Sequence, residues 1–462
     1  MESGRLMQVG LYSGDKEKSK KLIKSIKPVS IIIMGNDFEN VEDLKNLIRW
    51  IFSIYTKDLK IDPPIVAIDQ EGGNVSRIRD INYIPSNYAL GKIDKKNISY
   101  YAGALTGYEL NEIGIRWNLA PVLDTLSNKE NFSILERSFS EYVDNVSRNG
   151  SSFIMGLQDF GVSATAKHFP GIGSVFEDPH EKLPRDLRNI HSIWNTMKPF
   201  IDAINIGVKS IMVSHVLVKE IDQDFPISLS QKSYNLIRKE LGYDGILITD
   251  SLDMKAISTN YSPNEIAKLA FLGGADILEC VDPELAEDIH ENMKNINLNN
   301  SKREERLIKL YLERKKKFIP PKEIIQIISY NVPKWIRRKE FNPDRDFYIY
   351  YAGSTAYMNN IIKRIILKLR ELNFSVKEFN ENESLNNSQI IIIGKNLHLN
   401  GNYIKINEMC KNNECIFINT GIPYDSELLN KKIGYLAAMG DKYENIISSI
   451  YSILGLFYHD NF

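Results

Sequence analysis

Four short stretches hold most of the ionisable side chains that could break a covalent bond. They are Ile68-Asp69-Gln70-Glu71-Gly72-Gly73 running on to Arg77, and Glu136-Arg137-Ser138-Phe139. The others are Lys167-His168-Phe169-Pro170-Gly171 running on to Asp178-Pro179-His180, and Ile248-Thr249-Asp250-Ser251-Leu252-Asp253-Met254. A carboxylate can attack as a nucleophile or take a proton, and an imidazole exchanges protons near neutral pH. Lys and Arg make strong, directional hydrogen bonds to oxygen. Asp250 closes the apolar run Gly245–Thr249, which points its carboxylate into whatever pocket that run borders. The plain alternative is a cap on the next helix, although Asp253 is the more natural capping or first-turn residue. Metal-dependent hydrolases also use histidines and aspartates at strand ends, but expect His-x-His after an early strand. Val9–Gly14 contains none, so neither a metal nor a cofactor is expected.

These residues need a frame that gathers them. The first two thirds of the chain alternates short apolar runs with amphipathic stretches, the pattern of repeated β-α units. Strands are expected at Met7–Leu11, Val29–Met34, Ile65–Asp69, Trp117–Ala120, Ser163–His168, Ser210–His215, Gly245–Asp250 and Ala275–Cys280. Between them lie helix-like segments such as Val41–Tyr55, Ile98–Ile113, Val143–Phe160, Ile193–Asn205 and Ser230–Glu240. Eight strands in series predict an α/β fold of the closed (β/α)8 TIM-barrel type. A barrel brings its strand ends to one face, where Asp69, Lys167, His168, His215 and Asp250 would meet. An open doubly wound sheet would gather them less completely, at one crevice.

Taken in order, the four stretches resemble glycoside hydrolase family 3, and within it the β-N-acetylglucosaminidase branch. The resemblance covers roughly residues 5 to 300. It implies a retaining enzyme in which Asp250 is the nucleophile and forms a glycosyl ester. It also implies that His180, oriented by Asp178, is the acid/base on a loop freed by Gly171 and Gly173. Asp69, Arg77, Arg137, Lys167 and His168 would hold the hydroxyls of the terminal sugar; a structural salt-bridge network is the competing reading. The expected partner is a small carbohydrate containing N-acetylglucosamine, such as a muropeptide fragment or a chitin-type oligosaccharide. Three positions depart from the family pattern. Ile172 stands where a second histidine is usual, Pro179 where serine is usual, and Asn74 where arginine is usual. Pro179 restricts Asp178 towards an extended backbone. His215 is as well explained by a structural role, and His191, His290, His398 and His459 have no supporting context.

Three other readings compete. A β-glucosidase of the same family would take its acid/base from a carboxylate in a later domain. A carbohydrate-binding protein with lost catalysis would fit Ile172 and Pro179. Phosphorolysis would be detected as sugar 1-phosphate.

The barrel is expected to occupy residues 1–325, with a charged helix at Ser301–Lys317 and a break at Pro320–Pro321. Residues 326–462 are expected to form a smaller α/β sandwich. Its elements would be Phe347–Tyr351, helix Met358–Leu372, Ser375–Phe379, Gln389–Gly394, Cys415–Asn419 and Gly434–Ala438. Asn380–Asn387 reads as a surface loop. Lys plus Arg number 58 against 59 acidic residues, a balance that argues against attraction to nucleic acid or anionic membrane. The start does not read as a signal peptide, and no apolar run is long enough to span a bilayer. Cys280, Cys410 and Cys415 are expected to be free thiols, with a Cys410–Cys415 pair as the alternative, and free thiols favour a cytoplasmic location. The oligomeric state is left open.

Overall fold

The computed structural model describes residues 3–456, except 79, 83, 94–96, 295, 297–300, 311–332, 354, 380–384, 396, 398–400, 422–425 and 442. The expected boundary at 325/326, Pro320–Pro321, Leu312 and His398 therefore lie outside the described residues, as does His459. Contacts divide the chain into two units. One comprises Met1–Glu71, Val75–Asn82 and Lys95–Pro321; the other comprises Gly72–Asn74, Tyr83–Asp94 and Lys322–Phe462.

The first unit is the expected barrel. Its strands are β1 (Met7–Val9), β2 (Ser30–Ile33), β3 (Ile65–Ile68), β4 (Trp117–Asn118), β5 (Ser163–Phe169), β6 (Ser210–Val213), β7 (Ile246–Thr249) and β8 (Leu278–Cys280). They pair in the order β7-β6-β5-β4-β3-β2-β1-β8, every pair parallel. A parallel bridge from Ile248 to Ile277 joins β7 to the strand at the other end and closes the cylinder. Helices cover the outside, so each strand is buried on both faces and reads as an almost unbroken apolar run. Inside, Ile32, Ile65, Ala67, Trp117, Met212, Ile246, Ile248 and Ile277 form one core cluster with Leu307 and Leu310. Side chains alternate faces along a strand, so Ser30, Asp69, Asp250 and Glu279 share the interior with Ile32, Ala67, Ile248 and Ile277.

The second unit is a three-layer sandwich. Strands β9 (Lys334–Arg337), β10 (Phe347–Tyr351), β11 (Val376–Glu378), β12 (Gln389–Gly394), β13 (Glu414–Asn419) and β14 (Gly434–Ala437) pair in the order β9-β14-β13-β12-β10-β11. Only the β9–β14 pair is antiparallel. Ile391 and Ile393 pack under the helices Ala356–Glu371 and Tyr443–Ile453, while Ile390 and Ile392 pack towards helix Tyr403–Met409.

One expectation is corrected here. Cys410 and Cys415 are joined in a disulfide rather than free; only Cys280 is a free, buried thiol. Cys410 ends helix Tyr403–Met409 and Cys415 lies in β13, a tight connection that leaves their Cα atoms 5.8 Å apart, within bonding reach. The thiol argument for a cytoplasmic location falls with it. Among the described residues, no helix is long and apolar enough to cross a membrane.

Candidate active site

The ends of β3 and β5 meet through one ammonium. Lys167 Nζ donates to Asp69 Oδ1 and lies 2.7 Å from both that atom and Glu71 Oε1. Glu71 is also gripped by the Arg137 fork, with Nε donating to Oε2 at 2.9 Å and Nη2 to Oε1 at 2.8 Å. Arg77 Nη2 stands 3.6 Å from Asp69 Oδ2. Glu71 and Lys167 are only 1% and 3% exposed, so each depends on its partners rather than on water. Burial alone would raise the Glu71 carboxyl, but Arg137 and Lys167 hold it far below the usual range. Burial lowers Lys167 and Arg137 in turn, and their carboxylates raise both above their ordinary values. Four of the expected sugar-holding residues thus form one ion network through Glu71, to which no role was assigned from the sequence.

His168 belongs to a separate pair. Its Nδ1 is 2.7 Å from Asp124 Oδ2, and its backbone N–H also faces that carboxylate at 3.3 Å. Asp124 Oδ1 accepts in addition from the Ile172 N–H at 2.8 Å. Asp124 therefore ties the ring of His168 to the root of the loop that follows. Sequence reading missed it because it lies beyond the end of β4, with partners 44 and 48 residues away.

Asp250 is held at the end of β7 by its N–H to Val213 O and by the Ser251 N–H, which donates to Oδ1 at 2.9 Å. Burial pushes its carboxyl up, but His168, His215, the Ser251 N–H and Lys167 together bring it below the ordinary Asp value. It is a desolvated yet ionised carboxylate. His215, fully buried, accepts at Nδ1 from Ser228 Oγ and donates from Nε2 to Ser251 O. This assignment follows because a carbonyl can only accept. His215 thus fixes the turn after Asp250. Asp253 does not cap its own helix; its Oδ1 accepts from Val281 N–H at 2.8 Å and from Ser251 Oγ, tying the turn to the end of β8.

The loop after β5 carries the expected dyad. His180 Nδ1 lies 2.7 Å from Asp178 Oδ1, which also accepts the His180 N–H at 2.9 Å. Both are open to solvent, with side chains 64% and 37% exposed. Ala256 N–H donates to Pro179 O at 3.1 Å, anchoring the loop to the segment just past Asp250. Ile172 is buried rather than polar, and its carbonyl accepts from Asn131 Nδ2 at 2.7 Å. Gly171 has φ +110°, which favours glycine. Gly173 serves close approach instead: a Cβ there would stand 1.9 Å from Thr125 O. Among the described residues, no group of three or more His, Cys, Asp or Glu could hold a metal.

Residues 2–311 match the glycosyl hydrolase family 3 N-terminal domain. A β-hexosaminidase of Idiomarina loihiensis is 33% identical over 273 residues, 57% of this chain and 80% of that protein. Two of the similar solved structures bear on the fold. A family 3 β-N-acetylglucosaminidase from Paenibacillus sp. superposes with a TM-score of 0.88 at 24% identity, covering 99% of this chain and 96% of that one. The NagZ protein of Neisseria gonorrhoeae, solved in complex with N-trifluoroacetyl-D-glucosamine, has a TM-score of 0.59 at 26% identity, covering 70% and 93%. The family match spans well over half of the 462 residues and takes in the whole barrel with the site at its mouth; the chain belongs to glycosyl hydrolase family 3.

Proposed function

We propose that this hydrolase is a retaining, exo-acting β-N-acetylglucosaminidase that releases terminal, non-reducing N-acetylglucosamine. Asp250 attacks the anomeric carbon and forms a glycosyl ester, while His180 protonates the leaving oxygen. The neutral imidazole then takes a proton from water, which opens the ester with net retention. Asp178 orients the ring and stabilises its charged form. The observation that carries this reading is the 2.7 Å bond between His180 Nδ1 and Asp178 Oδ1. It leaves Nε2 as the ring atom that exchanges the proton. The exposure of the pair fits a loop that closes on the sugar, pivoting on its tie to Ala256. Asp69, Arg77, Arg137, Lys167 and His168 bind the sugar hydroxyls, with Arg137 also holding Glu71 beneath them. The relatives named β-hexosaminidase support the acetylated sugar as substrate. Residues 1–325 constitute the hydrolase and 326–462 the accessory sandwich domain.

The test is hydrolysis of 4-nitrophenyl β-N-acetylglucosaminide against the matching glucoside. The acetylated sugar should be preferred, and Asp250→Asn should remove roughly three to five orders of magnitude of kcat. His180→Ala should lose about 10²- to 10⁴-fold, as expected for a general acid/base. A glucoside preference with His180→Ala harmless would reject both the substrate and the dyad.

A further inference from the structure

One buried acid near this site has no role in the reaction just described. Glu279 lies in β8 at 3% exposure, and its Oε2 makes no hydrogen bond although no solvent reaches it. The barrel closure fixes where it points. Ile248 and Ile277 are paired across the β7–β8 seam, so two residues further along each strand come Asp250 and Glu279. Both face inward at the ends of these neighbouring strands, which the Leu252 N–H ties together by donating to Glu279 O at 2.9 Å, and Asp250 lies near enough to disfavour charge on Glu279.

The other side of Glu279 is set by β1. Gln8 is its register partner and is wholly buried. Gln8 Nε2 donates to Ser30 Oγ at 2.8 Å, and Ser30 Oγ donates to the Ile65 carbonyl at 2.9 Å. A carbonyl can only accept, so the direction of this chain is fixed. Gln8 Oε1 is left as an acceptor, and it too makes no hydrogen bond. Two unengaged atoms thus belong to adjacent interior positions. A proton on the carboxyl would let it donate to the acceptor beside it.

The surrounding charges favour the same state. Asp69 just past β3, Asp250 just past β7 and Asp253 from the turn after it all disfavour a second anion, with Lys167 from β5 opposing them. Lys167 is already shared between Asp69 and Glu71. From β1 and β2, the neighbours are the uncharged Gln8 and Ser30. Burial and these carboxylates push Glu279 well above the ordinary Glu range, while Asp250 is held below its own. Adjacent carboxyls in a low-dielectric site divide in this way, one charged and one neutral.

We propose that Glu279 is a positioning residue for the nucleophile: a neutral carboxylic acid that donates to Gln8 Oε1 and keeps a second negative charge away from Asp250 and Lys167. Ionising it would set a new anion against Asp250 and draw Lys167 from Asp69, so glycosylation slows once that proton leaves at alkaline pH. The inference rests on Asp250 being the nucleophile, and its test separates the two.

The His180→Ala protein, with and without E279Q, would be assayed on a 3,4-dinitrophenyl β-N-acetylglucosaminide, whose leaving group departs without a proton. The histidine limb is thereby removed from the profile of kcat/KM against pH. With Glu279 present, kcat/KM should fall on the alkaline side. E279Q, isosteric and neutral, should abolish that limb while keeping neutral-pH kcat/KM within about fivefold. An unchanged limb in E279Q would overturn the proposal, as would a loss of roughly a thousandfold at neutral pH. Infrared difference spectra of wild type against E279Q at pH 8 supply a readout independent of turnover. A protonated carboxylic acid band present only in wild type supports the proposal; carboxylate bands alone overturn it. If no glycosyl-enzyme forms with the activated substrate, the assignment of Asp250 fails, and the infrared result still decides the state of Glu279.

Discussion

Glu71 shows how far a single side chain here depends on residues distant in sequence. It takes both prongs of Arg137 and shares the Lys167 ammonium, all in a place that excludes water. Removing its charge leaves two buried cations short of a partner, so Glu71→Gln is expected to cost about 3–5 kcal/mol of unfolding free energy at neutral pH. The loss should shrink in acid. The folded carboxyl sits below its unfolded value, so its contribution is complete above the ordinary Glu range and drains away as pH falls through the folded value. Urea unfolding of both proteins at neutral pH and in acid checks the sign; a difference that grew in acid would refute it. In the sequence, Glu71 was visible only as part of a motif. Its partners come from 66 and 96 residues further on, and nothing local marks a carboxylate for burial. Asp124 and Glu279 went unnoticed for the same reason, since their roles come from strand neighbours rather than from spacing.

At the scale of elements, the loop after β5 rests on a clamped root. Gly173 O accepts from the Ser127 and Asn128 N–H groups at 3.1 and 2.9 Å, and Asn128 Nδ2 reaches Val175 O at 3.2 Å. The sequence suggested that Gly171 and Gly173 lend the loop freedom, yet Gly173 is needed for tight packing against Thr125. Gly173→Ala should therefore shift the loop by the fraction of an ångström to an ångström that costs about 10²-fold in kcat/KM on substrates that need an acid. A substrate whose leaving group needs no proton should react nearly as fast as with wild type. Equal losses on both would show that the damage reaches the Asp250 side of the site. Elements built from long apolar or strongly periodic runs were legible: all eight barrel strands fall where the runs are, and helix Ile98–Ile113 matches to the residue. Helix Tyr443–Ile453 and edge strand Lys334–Arg337 were missed. The latter is four residues with charged ends, and its strand character comes from pairing with β14.

Over the barrel as a whole, the proposed chemistry and a second buried ion cluster lie at opposite ends. The C-terminal strand ends carry Asp69, Lys167 and Asp250. The N-terminal ends are closed by Leu307 and Leu310, whose segment is pinned where Ser163 Oγ donates to Leu310 O at 2.6 Å. Around that closure lies a second buried ion cluster. Asp276, fully buried, accepts from Arg238, from Arg306 Nη1 at 3.1 Å and from the Leu247 N–H at 2.8 Å, with Arg303 Nε 3.9 Å away. This carboxylate joins the start of β7 to the helix Ser301–Ile308, the last of the barrel among the described residues, and no reacting group lies among these partners. Conserving its shape while deleting its charge, as in Asp276→Asn, removes the buried anion shared by Arg238, Arg303 and Arg306, of which Arg306 keeps Asp244. The expected cost is about 3–5 kcal/mol, similar to that of Glu71→Gln. The two variants should part company in kinetics. Assayed well below its lowered Tm, Asp276→Asn should keep kcat and KM within about twofold of wild type, since the N-terminal face of such a barrel serves stability. Glu71→Gln should raise KM, because Lys167 and Arg137 lose the anion that holds them under the sugar. A matching rise in KM for Asp276→Asn would mean that the barrel couples its two ends.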